Sequence, residues 1–163
     1  MTIIACADME WGIGRDGGLL FNIPEDMEFF KTATRGKTVV MGRKTFESLR
    51  IKPLPGRRNI VLTKSESFSF EGTETAHSLT ELFSLLENTP KNDVFVIGGS
   101  NVYRQLLKYC DTALITKVSA YGKADSFIVN FDKLSGWKKE SASELKNWNG
   151  TEFQFVKYVR NYP

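Results

Sequence analysis

Residues 93–107 read Asp93-Val-Phe-Val-Ile97-Gly-Gly99-Ser-Asn101-Val-Tyr-Arg-Gln-Leu-Leu107. Asp93 to Ile97 is short and apolar, as in a strand buried on both faces. Gly98-Gly99 is a turn, and Ser100 to Leu107 resumes with Val102, Leu106 and Leu107 at helical spacing. The pattern recurs at Thr38-Val-Val-Met41, where Gly42 leads into a short helix from Lys44 to Leu49. Strands that pass through glycine into helices build a parallel sheet covered on both faces.

The flanking chain extends this pattern. Thr2 to Ala7, Asn59 to Thr63, Thr73 to Ala76 and Thr112 to Val118 read as further strands, and residues 25–34 as a helix. Ser78-Leu-Thr-Glu81 is a capping box that opens a helix with Leu79, Leu82, Phe83 and Leu86 on one face. Residues 8–22 contain Gly12, Gly14, Gly17 and Gly18 and read as a loop, as does the polar stretch from Lys64 to Gly72. Trp137 to Ala142 and Glu152 to Arg160 read as strands, with a hairpin signal in Trp148-Asn-Gly150 between them. The expected fold is one α/β domain over residues 1–163. It has a central, mostly parallel eight-stranded sheet, an antiparallel C-terminal hairpin strand, and helices on both faces.

A chain of 163 residues suits one domain with a real core. Hydrophobic content of 41% with 25% charged residues excludes a disordered chain. A net charge of +3 is too small to indicate nucleic acid and mildly favours an anionic small ligand. No apolar run approaches a membrane span, and the N-terminus lacks the basic start and long apolar stretch of a signal peptide, so no membrane association and a cytoplasmic location are expected. Cys6 and Cys110 lie in apolar segments and read as buried thiols. His77 is the only histidine, which leaves little material for a multi-histidine metal site or a Ser-His-Asp triad, and no metal is expected.

Three constellations carry chemistry. Met27, Phe30 and Ala33 fall at i, i+3 and i+6, with Ile23 and Phe29 nearby. A helix starting near Pro24 then turns an apolar face inward, with Asp26 at its edge. A carboxylate beside apolar walls needs a partner, such as a cationic hydrogen-bonding ligand; an acid in a first turn also suits the helix dipole. The second constellation is the pair of glycine junctions, Val40-Met-Gly42-Arg-Lys-Thr45 and Val96-Ile-Gly98-Gly-Ser-Asn101, with Thr63-Lys64 ending a third strand. Together they fit a ligand with several phosphates, although Gly-Gly after a strand also serves as a plain tight turn. Neither G-x-G-x-x-G nor Walker A occurs. The third is Pro53-Leu-Pro-Gly-Arg57, a rigid turn that can aim a guanidinium at a carboxylate or simply present a surface arginine.

Taken in order and spacing, several motifs resemble the dihydrofolate reductase family, in its bacterial branch, over essentially the whole chain. They are Gly12-Ile-Gly14, Ile23-Pro24-x-Asp26, Phe29-Phe-Lys31, Met41-Gly-Arg-Lys-Thr45, Pro53-Leu-Pro-Gly-Arg57-x-Asn59, and Val96-Ile-Gly-Gly99 followed by Val102-Tyr103. The resemblance implies an oxidoreductase that uses NADPH to reduce 7,8-dihydrofolate to tetrahydrofolate for one-carbon metabolism. It also implies a monomer that binds antifolates such as diaminopyrimidines. Asp26 matches the acid that pairs with the pterin ring, Thr116 the threonine that supports it, and Arg57 the clamp on the glutamate α-carboxylate. Met27, Phe30, Leu49 and Leu54 match the apolar walls, and Ile4, Ile97 and Tyr103 the floor. Cys6 lies beside the pterin as packing. Gly14 to Leu19 match the mobile loop over the nicotinamide, with Leu19 grouped with the catalytic residues, and Asp125 matches the acid that steadies the loop.

The implied cofactor set is Ala7, Ile13, Gly14, Gly17, Gly18 and Leu19 on the loop side. At the phosphate and adenosine end it comprises Gly42, Arg43, Lys44, Thr45, Leu62, Thr63, Lys64, Ile97, Gly98, Gly99, Ser100, Asn101, Val102 and Tyr103. Two positions depart from the family pattern. Leu19-Leu20-Phe21 stands where Leu-Pro-Trp is common, and phenylalanine has no ring N–H to hold a water. Asn101 stands where many bacterial relatives carry an arginine on the 2′-phosphate, which leaves NADP selectivity to Arg43 and Lys64. His77 reads as a strand-end residue. A related pteridine reductase has no use for the Arg57 clamp, and a non-catalytic nucleotide module has no use for Asp26.

Overall fold

The computed structural model describes residues 1–162. In chain order the elements are β1 (Thr2–Ala7), β2 (Gly12–Gly14), α1 (Pro24–Thr34), β3 (Thr38–Gly42), α2 (Arg43–Ser48), β4 (Arg58–Leu62), β5 (Thr73–Ala76), α3 (Leu79–Leu85), β6 (Val94–Gly98), α4 (Ser100–Leu106), β7 (Thr112–Val118), β8 (Ser126–Phe127), β9 (Trp137–Ala142), β10 (Lys146–Trp148) and β11 (Thr151–Arg160). The sheet runs β10-β11-β7-β1-β6-β3-β4-β5, parallel from β7 to β5 and antiparallel at β11. No helix among the described residues is long and apolar enough to cross a membrane.

The expected sheet is present with one refinement. β9 and β10 lie along the same edge of β11 and act as a single interrupted edge strand. Ser143 makes the interruption: its N–H donates to Phe155 O at 2.8 Å, and its hydroxyl accepts from Phe155 N–H at 3.0 Å. The hairpin turn before β11 has φ of 50° at Asn149 and 84° at Gly150, the positive pair that a tight two-residue connection needs.

Strand alternation divides the core between the two faces. Val40 packs with α3 and α4 residues Leu82, Val102 and Leu106. Its neighbours Val39 and Met41 pack with Phe29 and Phe30 of α1 and Phe46 of α2. The box before α3 closes as expected on one side, where Ser78 Oγ accepts from Glu81 N–H at 3.1 Å. On the other side the Glu81 carboxylate accepts from His77 N–H at 2.7 Å rather than from Ser78, one residue earlier than the pattern implies.

Candidate active site

Asp26 is the buried residue of the first turns of α1, only 9% exposed. Met27, expected to face inward, is 46% exposed, so the expected order of these two residues is reversed. The reason is geometric. The buried stripe runs through Ile23, Asp26, Phe30 and then Ala33 and Thr34, and a residue one step from Asp26 lies about 100° away around the helix. Thr116 Oγ1 on β7 donates to Asp26 Oδ1 at 2.5 Å. Thr116 sits abreast of Cys6 on β1 and Phe155 on β11, and Phe155 stacks on Phe29 of α1 with ring centroids 4.5 Å apart. Burial pushes the Asp26 carboxyl above the usual range, while hydrogen bonding from Thr116 and Cys6 pulls it part of the way back. Cys6, expected to be buried, is only partly so and lies open to this cluster.

Arg57 stands at the other end of the same helix. Asn59, 2% exposed, holds the turn that carries it: Oδ1 accepts from Leu54 N–H, and Nδ2 donates to the carbonyls of Leu54 and Arg57, all at 2.9 Å. Asn59 belongs to the sequence motif without an assigned task there, and its position two residues after Arg57 is the signal for one. Arg57 Nε donates to Pro55 O at 2.9 Å and Nη1 to Thr34 Oγ1 at 3.2 Å, with the guanidinium 5.9 Å from the Phe30 ring centre. Burial and the nearby Arg35 both disfavour this cation, which a ligand carboxylate would offset. Phe30, Leu49, Leu54 and Ile97 share one apolar cluster with Ile4 between the two charged groups. Tyr103, buried, donates its hydroxyl to Ile4 O at 2.7 Å and so supports the floor.

The strand ends form a second row. Register sets Gly42, Leu62 and Ala76 abreast on β3, β4 and β5, so Arg43, Thr63 and His77 follow side by side. His77 Nδ1 lies 3.0 Å from Thr63 O, and Thr63 Oγ1 accepts from Ser65 N–H at 3.1 Å. Lys64 is exposed, whereas Arg43 is held by Glu47 at 2.9 and 3.2 Å. Across the row, a Cβ on Gly42 would stand 3.2 Å from Val102 Cγ2, and one on Gly99 would stand 3.4 Å from Thr45 Oγ1. Gly98 has φ of +126°, a conformation open to glycine. Neither α2 nor α4 has a side-chain cap at its start. Bare glycine backbone, free first-turn N–H groups and flanking cations fit the phosphates of a dinucleotide such as NADPH.

The segment expected to be a plain loop has structure of its own. β2 pairs with β8, and Asp125 N–H donates to Gly14 O at 2.9 Å. Arg15 and Gly18 exchange backbone hydrogen bonds around Asp16 and Gly17, with φ of 50° and 76°. The missed signal was Asp16-Gly17 itself, a tight-turn pair. Asp125 Oδ2 accepts from Asp16 N–H at 2.9 Å, the steadying contact expected of it. Ile13 is partly buried, Gly17 and Gly18 are exposed, and the Leu19 side chain is 57% exposed. Leu19 carries no group that can exchange a proton. Phe21 packs partly buried against Ile23, Val118 and Phe153.

A family model described as dihydrofolate reductase matches residues 1–160. Dihydrofolate reductase of Neisseria meningitidis serogroup B is 37% identical over 161 residues, covering 98% of each chain. That of Bacillus subtilis is 33% identical over 162 residues, covering 98% of this chain and 94% of its own. A solved dihydrofolate reductase from Enterococcus faecalis, complexed with NADP(H) and RAB-propyl, superposes with a TM-score of 0.87 at 32% identity, over 99% of this chain and 96% of that one.

Proposed function

The chain belongs to the dihydrofolate reductase family, and on that footing we propose that Asp26 and Arg57 hold the two ends of the substrate. The chain is an NADPH-dependent enzyme that reduces 7,8-dihydrofolate to tetrahydrofolate. Asp26 and Thr34, where Arg57 docks, are separated along α1 by eight residues, or about 12 Å at the helical rise. A ligand with a hydrogen-bonding ring at one end and a carboxylate at the other can lie along this helix, its middle on Phe30, Leu49 and Leu54.

Asp26 Oδ1 is committed to Thr116, which leaves Oδ2 for donors on the pterin ring. NADPH, when bound, supplies the hydride delivered to pterin C6. Gly42 to Thr45, Thr63, Lys64 and Gly98 to Tyr103 hold its phosphates and adenosine, and Arg43 and Lys64 carry the charge for the 2′-phosphate. The hairpin of residues 12–19 covers the nicotinamide and keeps water out. Asp26 polarises the ring, and a water carries the proton to N5. A diaminopyrimidine needs only the Asp26 half of this site.

The single observation that carries this reading is a buried, threonine-held acid on the same helix that docks Arg57. Its test is NADPH oxidation at 340 nm with dihydrofolate, comparing the parent with Asp26→Asn. The substitution should cut turnover by roughly 100- to 1000-fold at pH 7, within the range of a positioned acid-base group. The loss should shrink at low pH, where substrate arrives protonated. Near-normal turnover at pH 7 overturns the assignment of the acid.

A further inference from the structure

Asp8 follows directly on β1 and is 1% exposed, yet it belongs to neither the substrate set nor the cofactor set. Its carboxylate accepts three backbone hydrogen bonds. Oδ1 receives the N–H groups of Glu10 at 2.9 Å and Gly12 at 2.8 Å. Oδ2 receives the N–H of Gly122 at 2.9 Å, 114 residues away in the chain. The first two bonds close the turn that starts the 12–20 segment. The third fastens that turn to the connection between β7 and β8.

The surroundings leave this clasp little freedom. Met9 N–H donates to Ala120 O at 3.0 Å, and Ile128 N–H donates to Trp11 O at 2.9 Å. Trp11 is buried with φ of 65°, and the Lys117 ammonium lies 3.6 Å from its ring centre. A Cβ on Gly12 would come within 2.3 Å of Ala124 Cβ, and one on Gly122 within 2.7 Å of Leu20 Cδ1. Leu20 is where the 12–20 segment ends. Asp8 therefore bonds to the start of the segment directly, and it fixes the residue against which the far end packs.

We propose that Asp8 is a positioning residue for hydride transfer: its carboxylate sets the covering hairpin over the nicotinamide by clamping Gly12 to Gly122. This rests on the reading above that the 12–19 hairpin covers that ring. The chemistry calls for a carboxylate. Three N–H donors converge on two acceptor oxygens, and an amide has only one oxygen to offer. Asparagine in this place keeps the Glu10 and Gly12 bonds but turns its NH2 toward the Gly122 N–H. Asp8→Asn thus removes the carboxylate's bond to Gly122 while leaving the local turn closed.

The experiment is stopped-flow hydride transfer with dihydrofolate and NADPH, or NADPH deuterated at the transferred position. It compares the parent, Asp8→Asn, Asp125→Asn and the double variant, with active sites counted by titration with a tight antifolate. Asp8→Asn should slow the hydride step by about 10- to 100-fold, the scale of a misplacement near 1 Å, and raise the KM for NADPH. The isotope effect on kcat should grow as chemistry becomes limiting. The double variant should lose less than the product of the single losses, because both acids hold one hairpin. A fully titrating Asp8→Asn enzyme with parental hydride rate, KM and isotope effect overturns the proposal. So does a variant that loses active sites but keeps a parental isotope effect in those that remain, since that is a purely structural role.

If Asp125→Asn is silent too, the premise that the hairpin covers the ring fails, and the proposal falls with it. A parent that does not oxidise NADPH with dihydrofolate would instead refute the enzyme reading. Should Asp8→Asn not fold, amide exchange in the parent decides. The Gly12 and Gly122 amides should be protected together and respond together to NADPH, and independent exchange overturns the clamp.

Discussion

The hydroxyl of Thr116 donates to Oδ1 of Asp26 across 2.5 Å and joins two residues 90 positions apart in the chain. The bond fixes one oxygen of a buried acid. It only partly offsets the burial that pushes the Asp26 carboxyl up.

That imbalance fixes the sign of a stability effect. Because the folded-state pKa of Asp26 is raised above its unfolded value, its stabilising contribution is present at low pH and is lost as pH rises through the folded pKa. The ligand-free Asp26→Asn protein should therefore melt higher than the parent at pH 8, and the two should converge on acidification. Melting curves at pH 5 and pH 8 measure this. A constant difference between the two pH values would mean that Asp26 is equally ionised in the folded and unfolded protein over this range, so that burial does not raise its carboxyl.

Arg57→Leu should weaken dihydrofolate by roughly 2–4 kcal/mol, the cost of removing one partner from a charged pair in a partly closed site. A diaminopyrimidine, which lacks the glutamate tail, should bind almost as before. Calorimetric titration with both ligands separates the two cases, and equal losses would give Arg57 a structural task through Thr34 and Pro55.

The Arg43–Glu47 pair leads to a cofactor prediction. Glu47 occupies the Arg43 guanidinium and would compete with a phosphate for it. Glu47→Gln should raise NADPH affinity severalfold and leave NADH nearly unchanged. Removing both Arg43 and Lys64 should bring the two cofactors near parity, since each charge-assisted contact contributes about 1.5–3 kcal/mol. KM values for both cofactors at moderate salt provide the test. A double variant with the parental preference would move selectivity to Lys44 or His77.

Neither thiol should be reactive in the folded protein. Burial, helped by the nearby Asp26 charge, holds the Cys6 thiol well above its ordinary value, and burial pushes Cys110 up to about 12. Thiolate is the reacting species, so iodoacetamide at pH 7.5 should label both cysteines at least ten times more slowly than in urea. Mass spectrometry reads the labelling directly. Asp26→Asn removes only the lesser cause at Cys6 and should leave it slow.

Elements whose residues bury apolar side chains at a regular period were legible in the chain. β1 and β7 have the expected limits, and α1, β3, β6 and α4 differ by a residue or two at their ends. β2, β8 and β10 are two or three residues long and exist only through their partners, so no local period announces them. At the site, Asp26, Thr116 and Arg57 were legible from the family motifs, but the exchange of Asp26 and Met27 on α1 was not. Two adjacent residues compete for one stripe, and the sheet decides, through Thr116, which of them turns inward. Asp8 was unreadable for another reason. An acid after an apolar strand looks like a strand end until its partner 114 residues downstream is known.

The order of strands also governs how quickly such a site comes into being. β6 lies between β1 and β3, and the Tyr103 to Ile4 bond spans 99 residues of chain. Helices form within about a microsecond, whereas sheets built from distant segments close in roughly milliseconds to seconds. A refolding chain should therefore recover far-ultraviolet circular dichroism well before it can quench on binding an antifolate. In that interval the protein has its helices but no place for its substrate.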